Sequence, residues 1–281
     1  MAAAAIDPLQ GSTATQPTEV SIIMPAHNAA KTIKASVESV LAQTHTDWKL
    51  HVVDDGSTDR TAEIIGTFAQ ADTRILLHRP GRLGSAGAAR NHAMAQASSQ
   101  YLAFLDADDL WLPQKLQRQL GCLQSGNAIA VCSGYHVSAD SGRTLSAIRT
   151  PPRRISRRQM LANNKVGCLT MLVDLKRTGT FLMPEGVIHE DYFTWLALLK
   201  NPSLFIEGLQ EPLAIYSVQP GSLSGNKLRA AGAQWHTYRK LLGMGLPEAT
   251  FWMIQYALAT GSRTARERLL LALSPKSTLR S

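Results

Sequence analysis

The sequence predicts an α/β fold, a mostly parallel central sheet flanked by helices, and three observations predict it. Short apolar strands alternate strictly with helix-period segments from residue 20 to residue 105. Turn formers and helix-capping residue types fill the joints between them. Carboxylates cluster where two of the strands run out, which is where open parallel sheets bind ligands.

Val20 to Met24 is the first strand, ending at Pro25; the joint Pro25-Ala26-His27-Asn28 then leads to a helix in which Ile33, Val37, Val40 and Leu41 recur at helical spacing. Leu50 to Val53 is the second strand. It runs into Asp54-Asp55-Gly56-Ser57-Thr58-Asp59, a loop of turn and N-cap types ahead of a helix carrying Ala62, Ile64, Ile65 and Phe68. Ile75 to Leu77 makes the third strand, Gly81 to Gly87 a flexible loop, Ala88 to Ala97 a helix and Tyr101 to Leu105 the fourth strand. With helices on both faces, the strand-end loops are the open surface, and Asp54, Asp55, Asp106 and Asp108 fall on it.

The stretch from Tyr101 to Trp111 carries the most chemistry, because an apolar strand delivers Asp106, Asp108 and Asp109 at its end. Neighbouring carboxylates repel one another unless positive charge is near, and hard oxygen ligands suit Mg²⁺ or Mn²⁺ carrying a phosphorylated ligand. An acidic turn is the alternative reading, since Asp commonly ends strands.

These residues carry a resemblance. Val20-Ser21-Ile22-Ile23-Met24-Pro25-Ala26-His27-Asn28, Val53-Asp54-Asp55-Gly56-Ser57-Thr58-Asp59, Ala89-Arg90-Asn91 and Phe104-Leu105-Asp106-Ala107-Asp108-Asp109 resemble, in order and spacing, the motifs of family 2 glycosyltransferases with the nucleotide-sugar-binding GT-A fold. The resemblance implies that Pro25, Ala26, His27 and Asn28 line the nucleotide side, although the family more often has Tyr where His27 stands. It implies that Asp55 accepts a hydrogen bond from a uracil-type ring, favouring a uridine or thymidine diphosphate sugar; for Asp54 the residue type offers a structural alternative, a cap on the following helix or on its own turn. Asp108 is implied as the ligand of Mg²⁺ or Mn²⁺, Asp106 as a contact to ribose or metal-bound water, and Asp109 as support. Arg90 is expected to meet a diphosphate or a carboxylate.

In the second half, Gly186-Val187-Ile188-His189-Glu190-Asp191-Tyr192 resembles the family's Glu-Asp motif. Phe193, Leu196, Ala197 and Lys200 continue at helical spacing, so Glu190 and Asp191 fall in a first turn, where the helix dipole favours ionised carboxylates. By the resemblance Asp191 is the catalytic base of an inverting transfer and Glu190 an acceptor contact. Glu211 to Tyr216 is similar to the end of the family's catalytic domain. The expected organisation is a disordered lead over residues 1–18, a catalytic domain over 19–220 and a helical extension over 221–281, with the Gly221 to Gly225 stretch as a mobile loop.

Composition bounds the rest. A chain of 281 residues with 44% hydrophobic content builds one substantial core plus an appended helical piece. Cys122, Cys132 and Cys168 are odd in number and form no paired motif, which argues for a reduced compartment without a zinc site. No apolar run approaches the about 20 residues of a membrane span, which excludes the multi-span synthase branch of the family; a cytoplasmic enzyme, soluble or peripheral on the membrane, is expected. The net charge of +8 concentrates in Arg149, Arg153, Arg154, Arg157 and Arg158. That patch is either a solvated loop or a contact for an anionic membrane surface or lipid diphosphate acceptor; nucleic acid is not the expected partner, since the patch lacks interleaved aromatics and no nucleic-acid motif accompanies it. The expected reaction moves a sugar from a nucleotide-sugar donor to a saccharide or lipid-linked saccharide. A sugar-phosphate nucleotidyltransferase would need a glycine-rich, Arg-containing loop where Pro25-Ala26-His27-Asn28 stands, and a non-catalytic sugar-nucleotide-binding module would not need Asp191.

Overall fold

Four parallel strands form the first half of the sheet: β1 (Val20–Ala26), β2 (Trp48–Asp54), β3 (Ile75–His78) and β4 (Tyr101–Phe104), in the order β3-β2-β1-β4. This computed structural model describes residues 18–140, 142–218 and 227–273, so the expected lead over most of residues 1–18 and the loop at 221–225 lie outside the described residues. Crossover helices α1 (Ile33–Leu41), α2 (Thr61–Ala71) and α3 (Ala86–Gln96) join the strands. Strands buried on both faces read as continuous apolar runs, and β1 divides its side chains between two cores. Ile22 and Met24 pack with Leu50, Val52 and α1, whereas Ile23 packs with Val53, Phe104 and the small residues Ala89 and Ala93 of α3.

After the acidic loop the chain forms β5 (Leu110–Trp111), α4 (Lys115–Ser125), β6 (Ala130–Ser138), β7 (Leu145–Arg149), β8 (Arg154–Ile155) and α5 (Arg157–Ala162). A 3₁₀ turn at Cys168–Thr170 precedes β9 (Leu172–Asp174), followed by α6 (Leu175–Thr178), α7 (Glu190–Leu198) and β10 (Ile206–Ser217). The short β9 pairs antiparallel with both β4 and β6 and so stitches the second half of the sheet to the first. β6 and β10 are parallel, and β10 also pairs antiparallel with β5, Ala214 opposite Trp111, which anchors the chain just beyond Asp109. The 3₁₀ turn is held beneath β5: Trp111 Nε1 donates to the Leu169 carbonyl at 2.8 Å, and the buried Lys115 Nζ donates to the Met171 carbonyl at 3.3 Å while lying 3.9 Å from the Trp111 ring centroid.

The helical extension comprises α8 (Lys227–His236), a π-helical turn over Thr237–Leu241 and α9 (Leu246–Leu273). It is joined to the sheet domain by buried polar contacts. Tyr192 of α7 donates to the Met160 carbonyl at 2.9 Å and accepts from Gln234 Nε2 at 2.9 Å, and the fully buried Tyr238 donates to the Leu161 carbonyl. Buried hydroxyls that find partners cost little, and these fix α7 against both α5 and α8.

Candidate active site

The joint after β1 and the loop after β2 are tied together by their own polar groups. His27 Nδ1 donates to the Asp55 carbonyl at 2.9 Å, which leaves Nε2 to accept from Asn28 Nδ2 at 3.2 Å. Asn28 sits at φ 50° and its Oδ1 accepts from the Thr58 amide at 2.8 Å. Asp54 Oδ1 accepts from the Ser57 amide at 3.1 Å, the turn-capping role expected of it. The buried Asp55 carboxylate organises the loop before α3, accepting from Arg82 at 2.9 Å, from the Gly84 amide at 3.1 Å and from the Leu83 amide. Arg82 escaped the sequence reading; the signal was a lone Arg inside the glycine-rich stretch.

α3 begins two residues earlier than its pattern suggested, because Ser85 caps it by accepting from the Ala88 amide at 3.2 Å. The motif on this helix joins the two sides of the site. Arg90, with 4% of its side chain exposed, donates to Asp106 and to Glu190, both at 2.5 Å. Asn91 brackets the Met183 backbone, accepting from its amide at 2.8 Å and donating to its carbonyl at 2.9 Å. Gly87 completes the contact, since a Cβ there would lie 2.6 Å from the Pro184 carbonyl oxygen. Met183 and Pro184 lead into the turn before α7, which His189 enters at φ 63°, a left-handed backbone uncommon for a non-glycine residue. That turn presents Glu190 and Asp191 at the helix N-terminus.

The electrostatics follow from crowding. Burial raises the Asp191 carboxyl to about 6, with Glu190 adding to the rise and Arg90 opposing it. Burial and the charge of Asp106 likewise raise Asp108 to about 6. Asp109 is buried, accepts from the Ser217 amide at 2.8 Å and is pushed well above the carboxylate range by burial and by Asp106 and Asp108; its role is to pin the end of β10. Burial also raises the Cys168 thiol well above its usual range, and the charges of Asp106, Asp191 and Glu190 add to that rise, so a neutral thiol lines the same cluster. Nothing in the sequence pattern around Cys168 signalled this; only the stitching of β9 brings it there.

Asp106 and Glu190 thus meet on one guanidinium, whose charge also reaches Asp191, while Asp108 feels the charge of Asp106. Among the described residues no three carboxylate, imidazole or thiol groups converge as a closed metal cage. Mg²⁺ and Mn²⁺ bound with a diphosphate need only one or two protein carboxylates, and Asp108, a half-buried carboxyl whose ionised form lacks compensation, fits that requirement.

The family model for glycosyl transferase family 2 matches residues 21–173. The putative teichuronic acid biosynthesis glycosyltransferase TuaG of Bacillus subtilis (strain 168) is 36% identical over 238 residues, 85% of this chain and 94% of the relative. The Escherichia coli UDP-Glc:alpha-D-GlcNAc-diphosphoundecaprenol beta-1,3-glucosyltransferase WfgD is 34% identical over 216 residues, 77% of this chain and 83% of the relative. Among solved structures, S. aureus TarS 1–349 in complex with UDP-GlcNAc aligns with a TM-score of 0.65 at 17% identity, covering 85% of this chain and 71% of that one. The mannosyltransferase PcManGT from Pyrobaculum calidifontis, in complex with GDP-Man and Mn²⁺, aligns with a TM-score of 0.61 at 18% identity, covering 91% of this chain and 79% of that one.

Proposed function

The chain belongs to glycosyltransferase family 2, and from that premise we propose that it is an inverting, metal-dependent transferase moving a sugar from a uridine or thymidine diphosphate donor to a lipid-linked saccharide during cell-surface polysaccharide assembly. The observation that carries the reading is the Arg90 bridge, which sets the donor-side acid Asp106 and the acid Glu190, beside Asp191, on one guanidinium. The lipid-linked acceptor is supported by the relatives WfgD and WfaP, both named for transfer from UDP-Glc to a GlcNAc-diphosphoundecaprenol. An acceptor of that kind puts the enzyme at a membrane face.

In this mechanism Pro25, Ala26, His27 and Asn28 line the nucleotide side, Asp55 receives the ring imide of the base, and Asp106 orients the ribose. Asp108 would hold Mg²⁺ or Mn²⁺, which supplies neutralisation of the charge on the departing diphosphate. Asp191 takes the proton of the acceptor hydroxyl as its oxygen forms the new bond to the anomeric carbon. The bond to the diphosphate breaks on the opposite face, its electron pair leaving with the nucleoside diphosphate, and the configuration inverts. Glu190 positions the acceptor, and Arg90 holds Glu190 and Asp106 in register. A carboxyl at about 6 is ionised at neutral pH and still basic enough to accept the proton, which suits Asp191 to this task.

The test is calorimetric binding of uridine, thymidine and guanosine diphosphates and their sugars with and without Mn²⁺ or Mg²⁺, followed by transfer to a diphospholipid-linked saccharide. Metal-dependent binding of a uridine or thymidine ligand is expected; metal-independent binding, or preference for guanosine, would overturn the donor assignment.

A further inference from the structure

The outer face of α9 is apolar and uncovered. Leu246, Phe251, Ile254 and Leu258 are 60%, 48%, 53% and 64% exposed, and the last three follow a helical i, i+3, i+7 spacing. The opposite face is spent on the core, where Ala249 is fully buried and Trp252 and Met253 pack against the cluster around Trp195 and Tyr238. From residue 249 to residue 261 the helix carries no charged side chain at all. A soluble surface helix ordinarily places its charges on the outer face, so this pattern is inverted.

The elements that pack against α9 are cationic. α5, which packs on α9, carries the exposed Arg158, and the π-helical turn, which also packs on α9, carries the exposed Lys240. Glu248 is the lone acid between residues 246 and 261, and its charge acts on Arg157 of α5. An apolar strip one helix wide, with exposed cations on the elements packed against that helix, suits a helix lying in the headgroup region of an anionic bilayer. A second copy of the chain is the poorer occupant, because a stable interface uses about 20–30 residues a side and four side chains on one helix fall far short.

We infer that α9 docks this enzyme on an anionic lipid surface through Leu246, Phe251, Ile254 and Leu258, with Arg158 and Lys240 against the headgroups. The inference deepens the proposed function and rests on its lipid-linked acceptor. It adds that the docking surface is coupled rigidly to the base, since α7, which carries Asp191, is hydrogen-bonded through Tyr192 to both α5 and α8. A diphospholipid held in the membrane would then present its saccharide at a fixed height relative to Asp191.

The experiment is co-sedimentation of the full chain with vesicles of phosphatidylcholine alone or mixed with phosphatidylglycerol, in the absence of donor and acceptor. Wild type is expected to bind the mixed vesicles, and the triple variant Phe251→Ser, Ile254→Ser, Leu258→Ser to bind them about tenfold or more weakly, given the apolar surface removed. Arg158→Gln with Lys240→Gln should lose the preference for phosphatidylglycerol. All these side chains are exposed, so thermal unfolding should match wild type, and transfer to a water-soluble saccharide acceptor should be unchanged. Equal binding by wild type and the triple variant would overturn the inference, as would equal binding to both vesicle types. So would a dimer, measured by light scattering without lipid, that the triple variant converts to monomer. Because the vesicles contain no acceptor, vesicle binding that depends on the stripe supports this inference even where transfer to a lipid-linked saccharide fails and the proposed function falls.

Discussion

Replacing Arg90 by Met isolates the electrostatic bridge of the site, because Met fills much of the same volume without the charge. Arg90 keeps 4% of its side chain exposed and Glu190 15%, whereas Asp106 keeps 35%. Removing one partner of a buried ion pair costs about 3–5 kcal/mol, since the remaining charge stays buried and uncompensated. The exposure of Asp106 screens part of that, which puts the expected loss near the lower bound, about 3 kcal/mol, or about 6–12 °C in the melting temperature for a chain of this size. Without the guanidinium, the Asp191 carboxyl, already raised to about 6 by burial and by Glu190, loses the charge that opposes that rise and moves further above its unfolded value. The folded variant therefore binds protons more readily than the unfolded chain, and its deficit is full at high pH and shrinks as pH falls through the raised value. Thermal unfolding of variant and wild type at about pH 8 and about pH 5 tests both points. A drop below about 2 °C, or an equal drop at both pH values, would refute the argument that charge rather than packing is what Arg90 supplies. Arg90→Lys should recover only part of the loss, because an ammonium cannot reach Asp106 and Glu190 with the same fork.

Asp108→Ala should abolish metal-dependent donor binding in calorimetry, while Asp191→Asn should keep that binding and lose transfer; equal loss of binding in both would refute the division of roles. The rate of transfer should have an acid limb near the Asp191 value of about 6: the base works ionised, so activity is present above that pH and falls below it, to about one tenth of its plateau at pH 5. A plateau continuing to pH 5 would remove Asp191 as the base. Gly87→Ala puts a methyl 2.6 Å from the Pro184 carbonyl oxygen and 3.3 Å from Glu190 Cγ, and the loop before α7 must give way. The expected outcome is a loss of about 1–3 kcal/mol from overpacking together with a raised KM for acceptor, against the small gain Ala brings to a helix interior; unchanged steady-state kinetics would show that the approach of α3 to this loop is unimportant.

The donor half was legible because its signals are local. β1 to β4 and the helices between them follow from apolar runs, turn residues and caps, with the strand ends displaced by two residues or fewer, and Asp54 and Asp109 take the supporting roles their positions suggested. The misjudged start of α3 has a physical cause: Gly87 looked like loop chemistry, whereas the helix uses it for close approach to Pro184. The acceptor half was legible only as a motif. β10 is hidden in sequence by Gly208 and Pro212, which it accommodates with register shifts about Pro212. The convergence of Arg90, Cys168 and Asp191 depends on β9 pairing antiparallel between β4 and β6, a contact between distant segments that no window of sequence contains.

The three residues Ala89-Arg90-Asn91 acquire a common reason from this geometry. Ala89 packs between helix and sheet, where a larger side chain would lift α3; Arg90 reaches acids from both sides of the site; Asn91 fixes the Met183 backbone that leads to Glu190 and Asp191. One turn of helix therefore sets the distance between the carboxylates after β4 and those at the start of α7. The same arrangement leaves the site short of positive charge. Arg90 offsets Asp109 and Asp191, yet Asp191 still stands at about 6, and Asp108, raised by burial and by Asp106, gains no such offset from it. Surplus negative charge at the strand end suits uptake of a divalent cation, and surplus negative charge at the start of α7 suits uptake of a proton. A single buried guanidinium placed between them compensates each partly and neither fully, which suits the metal-assisted transfer and the carboxylate base proposed above.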